Sequence, residues 1–95
     1  MIEEIDKKIA VLLKYRDSDY VKKYPELQGW ICDTIGHCYN LESCTLLSNQ
    51  KLNSYSSNFF SAKSSVNRHY RDWGLDEVAD IYNELCVIAD PYLNI

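Results

Sequence analysis

Apolar side chains recur at helical spacing along most of this chain, and this periodicity constrains the fold more than any other feature. In the first segment they step by three, four and three residues. Such steps place side chains on one face of an α-helix, because 3.6 residues complete one turn. The side chains on this face are Ile2, Ile5, Ile9 and Leu12. The segment therefore predicts an amphipathic first helix.

A second helix is predicted from Pro25 to the early forties, preceded by a short helical turn through Tyr20–Tyr24. Proline suits the first position of a helix, where a backbone N–H would have no intrahelical partner. Gly36 lies inside this helix, where glycine costs on the order of 1 kcal/mol relative to alanine. Either another helix or a partner comes close at Gly36, or the chain tolerates a local defect. The apolar face comprises Leu27, Trp30, Ile31, Thr34, Cys38 and Leu41, with Ile35 at its margin.

The Ser- and Asn-rich stretch 43–65 predicts a third helix rather than a linker, because its apolar residues keep a helical period. This stripe consists of Leu52, Tyr55, Phe59, Ala62, Val66 and Tyr70. Trp73 and Gly74 mark a break, after which Asp76 is expected to cap a fourth helix that ends at Pro91. The core face of the fourth helix consists of Val78, Ile81, Tyr82, Leu85 and Ile88.

Four amphipathic helices with short connections predict an all-α fold, most simply an antiparallel four-helix bundle. With 95 residues, the chain is expected to form a single helical domain over residues 1–95. Three glycines and two prolines are too few for the many tight turns of a sandwich or barrel. Composition thus supports the same fold class as the periodicity.

The opening residues carry acid at once and show no apolar stretch of secretory length, which predicts a cytoplasmic location. The longest apolar run, Ile9–Leu13, is far too short for a membrane span. In a reducing cytoplasm the four cysteines are expected to be free thiols rather than two disulfides. A sequence pI near 5.0 argues against nucleic acid as a partner, since phosphate binding needs clustered cations.

The cysteines do not predict a metal site. Cys32, Cys38 and Cys44 are six residues apart, so a helix rotates each by about 240° from the last and prevents convergence on one ion. Asp33 and His37 are four apart, but two ligands do not make a site, and the same spacing serves a surface ion pair. We therefore expect neither metal nor cofactor.

A catalytic alternative centres on His69, which lies beside Arg68 and close to Arg71. This mixture of base and cations could attract a phosphate, as in a small helical RNA- or nucleotide-acting enzyme. Helical RNases of the HEPN class use Arg, four to six intervening residues and then His, but the residue six before His69 is Lys63 and Arg68 adjoins the histidine, so the motif is not met. Cations at a helix C-terminus also favour the helix dipole, which explains the same residues without catalysis. The interpretation without catalysis is preferred.

Charge is unevenly distributed along the chain. Residues 24–50 contain three acids and residues 73–95 contain five, and neither segment contains Lys or Arg. The two segments carry −3 and −5, whereas the whole chain carries only −4. The first and third helices therefore compensate the second and fourth.

Two acidic stripes follow from this distribution and are the predicted partner-binding residues. One lies on the fourth helix and the other on the second, where Trp30 borders it. Acidic stripes edged by aromatics suit docking onto a basic protein, although most charge runs simply form a solvated face. The predicted interface residues are Glu26, Trp30, Asp33, His37, Glu77, Asp80 and Glu84.

The opening segment Ile2–Leu12 resembles the first helix of the helical bacterial immunity proteins that act against type VI NAD(P)-hydrolysing toxins. Tyr24-Pro25 and the Leu52, Tyr55, Phe59 pattern fit the same layout. The resemblance implies a chain without activity of its own that binds a cognate toxin domain and occludes its active site or substrate access. An inhibitor of another basic host protein, encoded by a phage or plasmid, remains the further alternative.

Overall fold

A computed structural model describes residues 2–47 and 50–94, and this part of the chain is helical without any strand. The elements are α1 (Ile2–Arg16), α2 (Asp19–Lys22), α3 (Pro25–Leu46), α4 (Ser54–Ser61), α5 (Lys63–Asp72), α6 (Asp76–Ala89) and a 3₁₀-helix (Asp90–Tyr92). The all-α prediction is confirmed. The antiparallel four-helix bundle is not, because six α-helices form where four were expected.

The first half of the fold is the pair α1 and α3, which pack against each other. α3 begins at Pro25 as predicted and continues to Leu46, beyond the expected end. The predicted helical turn before it is α2, whose N-terminus is capped by Ser18 Oγ accepting from the Val21 amide at 3.3 Å. Val21 is fully buried and anchors this short helix to the core.

The predicted third helix is two helices, divided at Ala62, where the backbone leaves helical geometry at ψ 50°. α4 is capped by Asn53, whose side chain accepts from the Ser56 amide at 2.9 Å. The expected core stripe is wrong here: Tyr55 is 84% exposed, Ala62 is exposed, and Leu52 is buried but precedes the helix. The buried side chains of α4 are instead Ser56, Ser57 and Phe60.

The connection between α5 and α6 matches the predicted break at Trp73-Gly74. Gly74 has a φ of 78°, and its amide bonds the Arg71 carbonyl at 2.9 Å while the Leu75 amide bonds the Tyr70 carbonyl at 2.9 Å. This pair of bonds is a Schellman motif, which satisfies carbonyls left free at the end of α5. It also orients α6 to pack along α5.

Both ends of α6 differ slightly from the prediction. Leu75, not Asp76, holds the N-cap position, and no side chain caps the helix. Asp76 is the first helical residue, and its carboxylate lies 3.8 Å from the Arg71 guanidinium. At the other end α6 stops at Ala89, and Pro91 lies within the 3₁₀-helix.

A continuous apolar core joins the two halves, with α4 lying against both α3 and α6. The segment after α6 closes the core, because the Tyr92 carbonyl accepts from the Leu52 amide at 2.8 Å. Gly36 is exposed on α3, and a Cβ added there would meet nothing within 4 Å. No described helix approaches it, so within the chain Gly36 is a tolerated defect.

Candidate interaction surface

Side chains of α1 and α5 bind the acidic stripe on α6. The Tyr15 hydroxyl donates to Glu77 at 2.6 Å. Arg71 binds Asp80 at 2.7 Å, and the Lys8 ammonium lies 3.1 Å from Glu84. The bond to Glu77 is the main reason that the pKa of Tyr15 rises to about 12. Lys8 and Arg71 therefore offset the charges of Glu84 and Asp80, whereas the partner of Glu77 is a neutral hydroxyl.

The two acids of the α3 stripe are in a different situation. Glu26 and Asp33 are both exposed. Among residues 2–47 and 50–94, no Lys, Arg or His nitrogen lies within 4.0 Å of either carboxylate. This side of α3 therefore presents two exposed carboxylates that can attract a cation from another molecule.

Trp30 connects this stripe to α5 by stacking on His69. The ring centroids are 3.7 Å apart and the planes differ by 22°. His69 Nε2 is buried without a hydrogen bond, and desolvation lowers the pKa of His69, opposed by the nearby charges of Glu26 and Asp72. His69 is therefore a neutral packing partner of Trp30 near neutral pH, flanked by two carboxylates.

His37, the last member of the predicted stripe, links α3 to α4. Its ring stacks on Phe59 at 4.3 Å, and Nδ1 lies 2.7 Å from Ser56 Oγ. Asn40 also donates to that oxygen at 2.9 Å, so Ser56 joins two side chains of α3. Burial lowers the pKa of His37, which favours the neutral ring. His37 thus serves packing between helices.

An aromatic cluster that the sequence analysis did not identify lies at the junction of α2, α3 and α5. The ring centroid of Tyr24 is 5.5 Å from that of Tyr20 and 4.9 Å from that of Trp73. The Tyr20 hydroxyl donates to the Trp73 carbonyl at 2.7 Å. Tyr20 and Tyr24 nevertheless remain 44% and 40% exposed. The sequence indicates this cluster only through the positions of these aromatic residues, which lie near helix ends and outside any apolar stripe.

We name this region the aromatic–acidic surface. It combines exposed aromatic area with carboxylates that have no ion pair in the described ranges, and Lys22 and Lys23 directly precede Tyr24 in the chain. Glu26 follows Tyr24 by two residues, and Asp72 precedes Trp73. The surface consists of Tyr20, Tyr24, Glu26, Asp33, Asp72 and Trp73.

The three residues of the catalytic alternative point to different neighbours. His69 faces Trp30 on α3, whereas Arg71 is held by Asp80 on α6 and by the Asn67 side chain at 3.0 Å. Arg68 is exposed. A substrate phosphate would have to displace Asp80 to use Arg71, and His69 Nε2 lies out of contact with solvent.

The thiols and acids do not assemble a metal centre. All four cysteines are free, with Cys32 exposed and Cys38, Cys44 and Cys86 buried. Within residues 2–47 and 50–94, no group of three or more His, Cys, Asp or Glu side chains is placed to hold a metal ion. No helix in these ranges combines the length and apolar character needed to cross a bilayer.

Comparison with known proteins identifies no relative of this chain. No protein-family model, curated protein or solved structure matches the chain. Function must therefore be argued from the surface itself.

Proposed function

We propose that this chain is an immunity protein that binds a basic surface of a cognate secreted toxin domain and blocks its active site or substrate access. The observation that carries the proposal is the aromatic–acidic surface. Exposed, mutually packed aromatics lie there beside carboxylates that have no ion pair in residues 2–47 and 50–94. The resemblance of the first helix to helical immunity proteins supports the same class.

The aromatic side chains suit an anchoring role. Tyrosine and tryptophan offer a large contact area and lose little side-chain entropy on binding. Here part of that entropy is already lost, since Tyr24 packs against both Tyr20 and Trp73 before any partner arrives. A partner can therefore bury these rings at a lower cost than it would for freely rotating side chains.

The carboxylates suit recognition of cations. Glu26 and Asp33 lie seven residues apart on α3, about 10 Å along the helix axis. Arg or Lys side chains on a toxin surface would be steered toward these charges and could pack on the neighbouring rings. The α6 acids Glu77, Asp80 and Glu84 contribute less to this role, because Tyr15, Arg71 and Lys8 already bind them.

The test begins with co-purification of this chain with the product of the adjacent gene. For the complex we expect Tyr24→Ala to weaken binding by at least about tenfold, equivalent to 1.4 kcal/mol. Glu26→Lys should mainly slow association. Matched controls are Tyr55→Ala, which removes a more exposed tyrosine on α4, and Glu3→Lys on α1. Both should bind within about twofold of the wild type.

Each alternative has its own outcome in this experiment. If the neighbour is not a toxin and no basic protein is retained, the immunity proposal is lost. Capture of a basic host protein unrelated to the neighbour would favour the phage or plasmid inhibitor. Nuclease or nucleotide hydrolysis by the purified chain that disappears in His69→Ala would establish the enzyme instead. Binding that ignores Tyr24 and Glu26 would move the interface elsewhere.

A further inference from the structure

A groove runs between α1 and α6, outside the aromatic–acidic surface. α1 packs chiefly on α3, and α6 on α5, so α1 and α6 touch each other only slightly. Three successive depressions of about 380, 380 and 290 Å³ follow the line between them. They share residues from one to the next, namely Val11 and Glu77, then Lys8 and Glu84. The depressions therefore form one continuous groove.

The two walls of this groove carry opposite charge. Lys7, Lys8 and Lys14 line it on α1, together with Glu4 at the end near Val87, and Glu77, Asp80 and Glu84 line it on α6. Lys8 already pairs with Glu84 across the groove. Lys7 and Lys14 are exposed, and neither forms an ion pair with any residue in 2–47 or 50–94.

The floor and one end of the groove are apolar. Val11 and Ile88 are only partly buried, and Val87 on α6 is 76% exposed. Apolar side chains between two charged walls resemble the seam of a helical interface, in which flanking charges fix orientation. A partner that fits this face needs apolar contacts in the middle and both signs of charge at its edges.

We propose that a second copy of this chain occupies the groove, forming a face-to-face homodimer about a two-fold axis parallel to α1 and α6. This rotation places α1 of one copy over α6 of the other, so each lysine wall meets an acidic wall. A two-fold axis across the helices would instead lay α1 on α1 and bring lysines together. Charge thus selects one of the two symmetric arrangements.

The positions of the charged residues along the length of the groove agree with this two-fold axis. Lys7 lines the same depression as Asp80 and Glu84, and Lys14 lines the same depression as Glu77. Rotation about an axis parallel to the helices preserves these positions. The unpaired lysines of one copy therefore meet the acids of the other at matching levels, where Lys8 and Tyr15 already hold Glu84 and Glu77 in place.

The size of the face indicates a weak dimer. α1 has 15 residues and is about 22 Å long. Two helices side by side are roughly 20 Å wide, so the contact would bury on the order of 1,000 Å² in total. That area lies at the lower end for specific complexes. We expect a dissociation constant in the micromolar range or above, which increases with salt.

Sedimentation equilibrium of the purified chain, from micromolar to sub-millimolar concentration in low salt, tests this proposal. A reductant must be present, because exposed Cys32 can cross-link copies. The double variant Lys7→Glu with Lys14→Glu loses no contact within one copy and should dimerise at least about tenfold more weakly. Lys22→Glu with Lys23→Glu on α2 has the same change of charge away from the groove and should dimerise like the wild type.

A complementary variant makes the test specific for the facing walls. Glu77→Lys with Glu84→Lys should also dimerise poorly alone, but an equimolar mixture with the lysine-reversed variant should recover association as a heterodimer. Since Glu77 and Glu84 make contacts within the chain, circular dichroism must first establish that this variant folds. Val87→Glu, at an exposed apolar position, provides an independent disruption.

The proposal is overturned if the wild type stays monomeric at sub-millimolar concentration in low salt. It is also overturned if a dimer forms but neither the lysine reversal nor Val87→Glu weakens it. The lysine reversal and Val87→Glu leave every residue of the aromatic–acidic surface intact, so a loss of dimerisation in these variants is distinguishable from a loss of toxin binding.

Discussion

Buried hydroxyl groups in this core have partners far away in the sequence. The Tyr70 hydroxyl lies 2.6 Å from Thr34 Oγ1 and donates to the Trp30 carbonyl at 3.0 Å. The Tyr82 hydroxyl donates to the Phe59 carbonyl at 2.6 Å. Burial is the main reason that the pKa of both phenols is raised. Each bond removes the cost of an unpaired polar atom and ties two helices together.

Glu42, like His69, departs from this pattern. Its Oε2 atom is buried without a hydrogen-bond partner. Desolvation, followed by the hydrogen bond and the charge of Asp6 on α1, raises the pKa of Glu42 from 4.5 to about 7. The carboxyl therefore holds a proton in the folded chain at pH values where the unfolded chain has released it.

This raised pKa predicts a loss of stability with increasing pH. Because the folded chain binds the extra proton, the contribution of Glu42 is fully present below about pH 4.5 and is lost as pH rises through about 7. With allowance for partial solvent exposure, we expect a loss of about 1–2 kcal/mol over this interval. Urea denaturation at pH 5 and pH 8 measures it.

Glu42→Gln is the control for this effect, because the amide does not titrate in this range. Between pH 5 and pH 8 the free energy of unfolding should fall by less in the variant than in the wild type. The difference between the two falls should equal the loss assigned to Glu42. Parallel pH profiles of the two proteins would contradict the assigned role of Glu42.

At the scale of elements, the division of the third predicted helix shows what the apolar period missed. Of the neighbouring residues Tyr55 and Ser56 on α4, the smaller and more polar Ser56 is buried, and Tyr55 is exposed. Ser56 binds His37 and Asn40 of α3, and Ser57 accepts from the Asn94 amide at 2.8 Å. The hydrogen bonds of Ser56 and Ser57 outweigh the burial of the Tyr55 ring. The helix break at Ala62 allows α4 to bury a different side from the one that the apolar period predicts.

Two glycines in helical regions are expected to respond oppositely to substitution. Gly74 has a positive φ, which costs a residue with a Cβ roughly 1–2 kcal/mol, so Gly74→Ala should destabilise by about that amount. Gly36 lies in the interior of α3 with open space around it, so Gly36→Ala should stabilise by about 0.5–1 kcal/mol. Urea unfolding of the two variants measures both changes, and a reversed sign at either position would refute the corresponding backbone assignment.

At the scale of the whole molecule, folding redistributes the charge that the sequence separates. α6 has no cation of its own, yet Lys8 of α1 pairs with Glu84, Arg71 of α5 pairs with Asp80 and Asp76, and the Tyr15 hydroxyl binds Glu77. The α3 acids Glu26 and Asp33 have no such partner in the described ranges. The charge counted segment by segment along the sequence therefore differs from the charge that each face of the fold presents.

Thiol reactivity should report the integrity of the whole core. Cys38, Cys44 and Cys86 are buried on α3 and α6, and burial raises the pKa of each, to about 12 for Cys38. With a chromogenic disulfide reagent we expect Cys32 to react fast. The three buried thiols should react only when the chain unfolds, at a rate at least about a hundredfold lower than that of Cys32.

Cys32→Ser supplies the control by removing the fast phase alone. In denaturant the wild type should show four reactive thiols and this variant three. A second fast thiol in the native wild type would mean that the core opens locally around α3 or α6 rather than with the whole molecule.

The sequence by itself determined the helical class, the inward faces of α1, α3 and α6, the start of α3 at Pro25 and the break at Gly74. These features depend on residues within a few positions of one another, through the helical period and the backbone limits of proline and glycine. The tertiary structure alone decided the break at Ala62, the compensation of the α6 acids and the cluster that joins Tyr20 to Trp73. Those residues are brought together across long sequence separations, 53 positions for Tyr20 and Trp73, by packing that no local pattern encodes.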